Sequence, residues 1–152
     1  MDIVTQPQIM LLGISVKAPW DALWQQMPQA WQQLFGRLWE IDQDPDPILV
    51  DASLQCQKGL YQQLVSCQVT ASATIPTGMA AVCIPPASYI HYTHSGPATA
   101  IADSFAAMLN WARAQHMPVS DLKLDFGYSQ GADEPAHELY IALQPTPQWR
   151  WV

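Results

Sequence analysis

The chain has 152 residues, enough for one compact domain with a full core. Hydrophobic residues make up 49% of it and charged residues only 12%, with a mean hydropathy of -0.01, which is the balance of a globular protein. Six Lys plus Arg against 13 Asp plus Glu give a net charge of -7, which leaves no basic footprint for displacing phosphate counterions and excludes a nucleic-acid binder.

In chain order, Gln8 to Val16 reads as a strand. Pro19 and Pro28 punctuate the approach to a helix. From Gln29 onward, Trp31, Leu34, Phe35 and Leu38 follow an i, i+3, i+4, i+7 stripe, with Pro28 in the first turn. An interior proline would kink one long helix, so Trp20 to Met27 is predicted to be a separate helical turn. Asp42 to Pro47 is a loop, and Ile48 to Leu54 and Leu60 to Thr70 are two strands joined by a turn at Lys58-Gly59. Met79 to Ile84 is a further strand, broken by Pro85-Pro86, and Ser88 to Ser95 resumes the extended run. Gly96-Pro97 opens a second helix, with Ile101, Phe105, Met108, Leu109 and Ala112 at helical spacing and His116-Met117-Pro118 at its close. Leu122 to Tyr128 is a strand, Gly131 to Pro135 a turn, and His137 to Leu143 the last core strand.

The order strand, helix, strand, strand occurs twice, with one extra strand between the copies. That order predicts an internal duplication about a pseudo-two-fold axis. The fold class is α+β: residues 1–152 form a single domain of tandem β-α-β-β units. Two main helices cover one face of an antiparallel sheet, and a central ligand groove lies between the halves.

No apolar run approaches the ~18–20 residues of a membrane helix, and Met1 to Gln6 has neither the basic nor the apolar region of a secretory signal. Cys56, Cys67 and Cys83 are odd in number and form no CxxC pair, as reduced, packed thiols of a cytoplasmic protein do. His91 and His94 are three apart on a strand and point to opposite faces, so they do not chelate together, and neither a metal nor a cofactor is expected. Some of Trp20, Trp24, Trp31 and Trp39 line the first helix as core, while Trp149, Arg150 and Trp151 form an exposed tail suited to a protein partner or a second copy of the chain.

The strand from His137 to Leu143 carries the functional question. Leu139, Ile141 and Leu143 alternate onto one face, and Glu138, Tyr140 and Ala142 onto the other. A carboxylate on an apolar strand either points into water or waits for something positive, because desolvating an unpaired charge is costly.

Gly78-Met79, then Ile84-Pro85-Pro86-Ala87-Ser88-Tyr89, then His94-Ser95-Gly96, together with Trp111 and Glu138-Leu139-Tyr140-Ile141, resemble the signature of the GyrI-like small-molecule-binding domains. These domains also occur as effector-binding domains of AraC- and MerR-type regulators. The chain departs from the pattern at Pro86-Ala87-Ser88, which replaces an Ala-Gly turn, and at Ala142, where a proline is common. The resemblance implies a pocket in which a buried Glu and aromatic rings hold lipophilic, often cationic compounds. It also implies stand-alone members without a DNA-binding domain, and this chain is expected to be one.

On that basis Glu138 stands at the centre of the site, with Trp111, Tyr128 and Tyr140 as its wall and Phe126 and Tyr89 as further candidates. Rings supply dispersion and cation–π attraction of roughly 0.5–2 kcal/mol each, and the carboxylate supplies the charge term. The function expected is binding of hydrophobic, cationic small molecules by sequestration or by sensing through a partner. An alternative is a small-molecule hydrolase with Glu138 as general base, and a third is a gyrase-interacting inhibitor.

Overall fold

A computed structural model describes residues 1–41, 46–129 and 136–152 of the chain. Among the described residues, apolar alternation and helical periodicity resolve into nine strands and two helices. They follow as β1 (Asp2–Gln6), β2 (Ile9–Pro19), α1 (Trp20–Arg37), β3 (Leu49–Gln57), β4 (Leu60–Gln68), β5 (Ala80–Ile84), β6 (Ala87–His94), α2 (Ile101–Ala114), β7 (Val119–Tyr128), β8 (His137–Leu143) and β9 (Arg150–Trp151). All strand pairs are antiparallel, in one sheet of order β1-β6-β8-β7-β3-β4-β2-β5-β9. β6, β8 and β7 repeat the arrangement of β2, β4 and β3 about an axis between β3 and β7, and each half contributes one helix after its first strand. This is the expected α+β duplication.

Register settles which face carries the helices. Asp51 on β3 lies opposite Val65, which packs in the core under α1, and opposite Asp125, which in turn lies opposite Leu139 in the core under α2. Residues opposite one another share a face, so both helices cover the same side of the sheet. Among the described residues no helix covers the other side. Its core joins Ile9, Leu11, Val82 and Ile84 from one end of the sheet to Tyr89 and Ala142 from the other, so the twisted sheet curls around these residues.

Three elements depart from the sequence reading. The first helix is one piece, not a turn at Trp20 to Met27 followed by a helix from Gln29. Pro28 removes the hydrogen bond its nitrogen would give to the Trp24 carbonyl, but both residues face solvent, where water satisfies that oxygen. Leu23, Ala30, Trp31 and Leu34, buried in one core, hold the helix together across the proline. The N-terminus adds β1 to the free edge of β6, with Ile3, Val4 and Thr5 as its strand formers. The tail is not free: Arg150 and Trp151 pair with β5, and Trp149 packs on the helix-free core. The loop expected at Asp42–Pro47 lies in part, and the turn at Gly131–Pro135 wholly, outside the described residues. No helix of the described residues is long and apolar enough to cross a membrane.

Two glycines give a contrast that tests this packing. Gly127 has φ +133°, and a Cβ there would sit 2.9 Å from the Ala136 carbonyl oxygen. Gly36, in the last turn of α1, has nothing within 4 Å of such an atom. Gly127→Ala should lower the unfolding free energy by about 1–3 kcal/mol, whereas Gly36→Ala should raise it by up to about 1 kcal/mol. Urea unfolding of both variants checks the pair, and equal effects would contradict the backbone described here.

Candidate ligand-binding groove

The centre of the sheet brings two carboxylates together. β3 alternates Leu49, Asp51 and Ser53 against Val50, Ala52 and Leu54, and the second set is buried in the helix-free core. Asp51 is thereby turned toward the helices. β7 does the same with Asp125, and the register sets Asp51 directly opposite Asp125 across the axis between the halves.

Gly127 then changes the parity of β7. The register passes from Val50–Phe126 to Leu49–Tyr128, leaving Gly127 as a bulge residue. In a regular strand Phe126 and Tyr128 would share a face. The bulge sends Tyr128 to the helix side instead, where its ring stacks on Trp31 of α1 at 4.6 Å and meets His137 edge-on at 5.0 Å. Phe126 stays on the helix-free side, against Tyr140.

Between α1 and α2 runs a groove with Asp51, Gln63 and Tyr128 at its floor. One lobe, of about 760 Å³, lies against α1 and is walled by Trp20, Leu23, Trp24, Met27, Pro28 and Trp31. The adjoining lobe, of about 360 Å³, shares Trp20, Leu23, Asp51, Gln63 and Tyr128 and reaches Tyr61, Lys123 and the Ile101, Phe105 and Leu109 stripe of α2. Trp20 and Trp24 are about 70% exposed along the mouth of the groove, and Trp20 leans on Tyr61 with ring centres 5.6 Å apart. Large exposed indoles on a concave apolar wall are the usual dress of a ligand site rather than of a solvated helix.

The two carboxylates are not treated alike. Asp125 is 3% exposed and accepts a 2.6 Å hydrogen bond from Nδ1 of His137. Burial pushes its pKa above the usual carboxylate range, against the opposing pull of His137 and of the Tyr128 hydroxyl. Asp51 has no such partner: its Oδ1 is sealed from solvent and carries no hydrogen bond among the described residues. Burial, reinforced by the neighbouring Asp125, raises the Asp51 carboxyl from 3.8 to about 7. Gln63, 9% exposed, also turns an unbonded oxygen, Oε1, to the inside. Burial and the two nearby carboxylates push the Tyr128 hydroxyl far above its ordinary value, and burial lowers the Lys123 ammonium.

The six residues selected from sequence do not form one site. Only Tyr128 lines the groove. Glu138, Tyr140, Phe126 and Tyr89 share the helix-free side, where Tyr140 meets Tyr89 and Phe126 edge-on at 5.8 and 5.5 Å and Tyr89 is wholly buried. Glu138 is not buried, its side chain being 41% exposed, and it does not stand unpaired: it accepts hydrogen bonds from His91 Nε2 and, at 2.8 Å, from the Thr93 hydroxyl, while His91 Nδ1 lies 3.0 Å from Asp2. Its carboxylate ties β8 to β6 and, through His91, to β1. Trp111, partly buried, packs against the core under α2. Asp51, Gln63, Trp20 and Trp24 went unselected, although an Asp between Val50 and Ala52 carries the same signal that singled out Glu138. Among the described residues no group of three or more His, Cys, Asp or Glu is placed to hold a metal.

Comparison with known proteins places this geometry in a family. Residues 2–143 match the family described as Cass2, integron-associated effector binding protein. The chain belongs to the Cass2 family. It is thus a GyrI-like effector-binding domain, and solved structures share its fold at low identity. The structure of SAV2435 bound to tetraphenylphosphonium superposes with a TM-score of 0.70 at 9% identity, covering 95% of this chain and 93% of the other. The Vibrio cholerae integron cassette protein VCH_CASS2 gives a TM-score of 0.65 at 10% identity, covering 94% and 95%. In sequence, the transcriptional regulator BrlR of Pseudomonas aeruginosa is 27% identical over 129 residues, or 83% of this chain. The chain spans 46% of the length of that regulator.

In this Cass2-family domain the open carboxylate has a signature in stability. A native Asp51 with a pKa of about 7 holds its proton where the unfolded chain, near 3.8, has lost it. Its contribution is therefore complete below about pH 4 and is lost as pH rises through 7, a swing of up to about 4 kcal/mol. Asp51→Asn should remove that part of the pH dependence and unfold at higher temperature than the wild type at pH 8. Thermal unfolding of both proteins from pH 4 to 8 measures the difference, and parallel curves would place Asp51 in water.

Proposed function

We propose that this effector-binding domain takes up hydrophobic, cationic small molecules in the groove between α1 and α2, with Asp51 as the counter-ion. The observation that carries the reading is the sealed, unbonded Asp51 oxygen at the floor of an apolar groove walled by three indoles and two phenols. In an empty groove that carboxyl titrates at about 7; an arriving cation supplies the missing partner and drives the proton off. Trp20, Trp24 and Trp31 add faces for cation–π attraction, worth roughly 0.5–2 kcal/mol each. SAV2435, which shares the fold, is bound to tetraphenylphosphonium, a bulky aromatic cation. Such a domain acts by sequestering its ligand, or by sensing it where a partner reads the occupied groove; BrlR is a transcriptional regulator with a related segment.

The test uses methyltriphenylphosphonium and its neutral analogue triphenylphosphine oxide, followed by tryptophan fluorescence and calorimetry. Asp51→Asn should weaken binding of the cation by about tenfold or more, near 1.4 kcal/mol, and leave the oxide unchanged or tighter. Glu138→Gln should alter neither. Equal losses for both ligands at Asp51, or a cation-selective loss at Glu138, would defeat this assignment.

A further inference from the structure

The duplication allows the two halves to be read against each other. Asp51 lies opposite Val65 as Asp125 lies opposite Leu139, so Gln63, two residues before Val65, is the positional counterpart of His137, two residues before Leu139. In the second half this position supplies an N–H to the aspartate at 2.6 Å. In the first half the corresponding residues line the groove, and each holds an unbonded acceptor oxygen, Asp51 Oδ1 and Gln63 Oε1, sealed from solvent beneath its surface. They sit on neighbouring strands as diagonal neighbours on one face, roughly 7–8 Å apart at the backbone. Two buried acceptors ask for two donors; a charge alone does not satisfy them.

We infer that the preferred ligand is an aromatic cation bearing at least two N–H donors, an amidinium, guanidinium or primary ammonium group. That group occupies in the first half the place His137 fills in the second. The inference rests on the groove being the cation site and adds the chemistry of the cationic head. A quaternary or phosphonium centre satisfies the charge of Asp51 but leaves both oxygens without a hydrogen bond, which costs affinity. A planar fork of N–H groups satisfies both at once, as Arg does for paired oxygens elsewhere. The aromatic body of the ligand then lies along Trp20, Trp24 and Trp31.

The experiment compares biphenyl-4-carboxamidine with its N,N,N′,N′-tetramethyl derivative, which keeps the charge and loses the donors, and with methyltriphenylphosphonium. The amidine should bind the wild type about tenfold tighter than the tetramethyl compound. Gln63→Leu should erase that preference and leave the phosphonium affinity nearly unchanged. Gln63→His should rebuild the Asp125–His137 pair at Asp51, raise the unfolding temperature near pH 7 and block the amidine; a folded Gln63→His protein that binds amidine as well as the wild type overturns the inference. So does equal affinity for the amidine and its tetramethyl derivative, or an equal loss of amidine and phosphonium at Gln63→Leu. If the phosphonium binds but the amidine enjoys no preference, the groove stands and its donor chemistry does not; if no cation binds, both fall.

Discussion

Two aspartates directly opposite each other on the central strand pair are the constraint on which the rest of the site depends. Like charges at a directly opposed position repel, and removing both from water adds the cost of desolvation. Asp125 is relieved by His137 and by Tyr128, whose ring is pinned between Trp31 and His137. Asp51 has no comparable relief, and burial beside Asp125 raises its carboxyl to about 7. The groove is therefore a largely apolar one with a carboxyl of raised pKa at its floor.

This division of labour depends on the unequal filling of two similar halves. Each half offers one strand-borne aspartate and one position on the next strand from which to answer it. His137 answers the aspartate in the second half; Gln63, at the matching position, holds a buried oxygen without a hydrogen bond in the first. The second set of aromatic rings, around Tyr89, Tyr140 and Phe126, serves a different purpose. It fills the curl of a sheet side that no helix covers, and Glu138 with His91 fastens the edge strands there. Burial raises the ring hydroxyl of Tyr89 to about 12, as expected of a side chain given over to packing.

Much of the architecture was legible in the sequence because it rests on local periodicity. Phe105, Met108 and Ala112 mark α2, and the alternation of Leu139 and Ile141 against Glu138 and Tyr140 holds in β8. The elements that sequence reading missed are held by non-local forces. Pro28 is tolerated because the helix is anchored on both sides of it by Leu23 and Leu34, and β1 forms because β6 offers an unpaired edge. The residues that line the groove were hidden for a related reason. Glu138 and Asp51 carry the same signal, a carboxylate in an apolar strand, and nothing local separates the one that meets a histidine from the one that meets none. Asp51 was within reach of the argument applied to Glu138, since Val50, Ala52 and Leu54 already assign it to the opposite face.

By itself the sequence determined the class of fold and the duplication, because both follow from periods of two and of 3.6 residues; a carboxylate among aromatic rings was what the family resemblance implied. Only the tertiary structure decided which carboxylate and which rings line the groove between the helices. That choice turned on the register that sets Asp51 against Asp125 and on the bulge at Gly127 that carries Tyr128 across the sheet. It also turned on the pairing of Glu138 with His91, residues far apart in sequence. Register and bulges arise from the fit of many distant side chains at once, and a one-residue shift exchanges the two faces of a strand. No window of sequence contains that information.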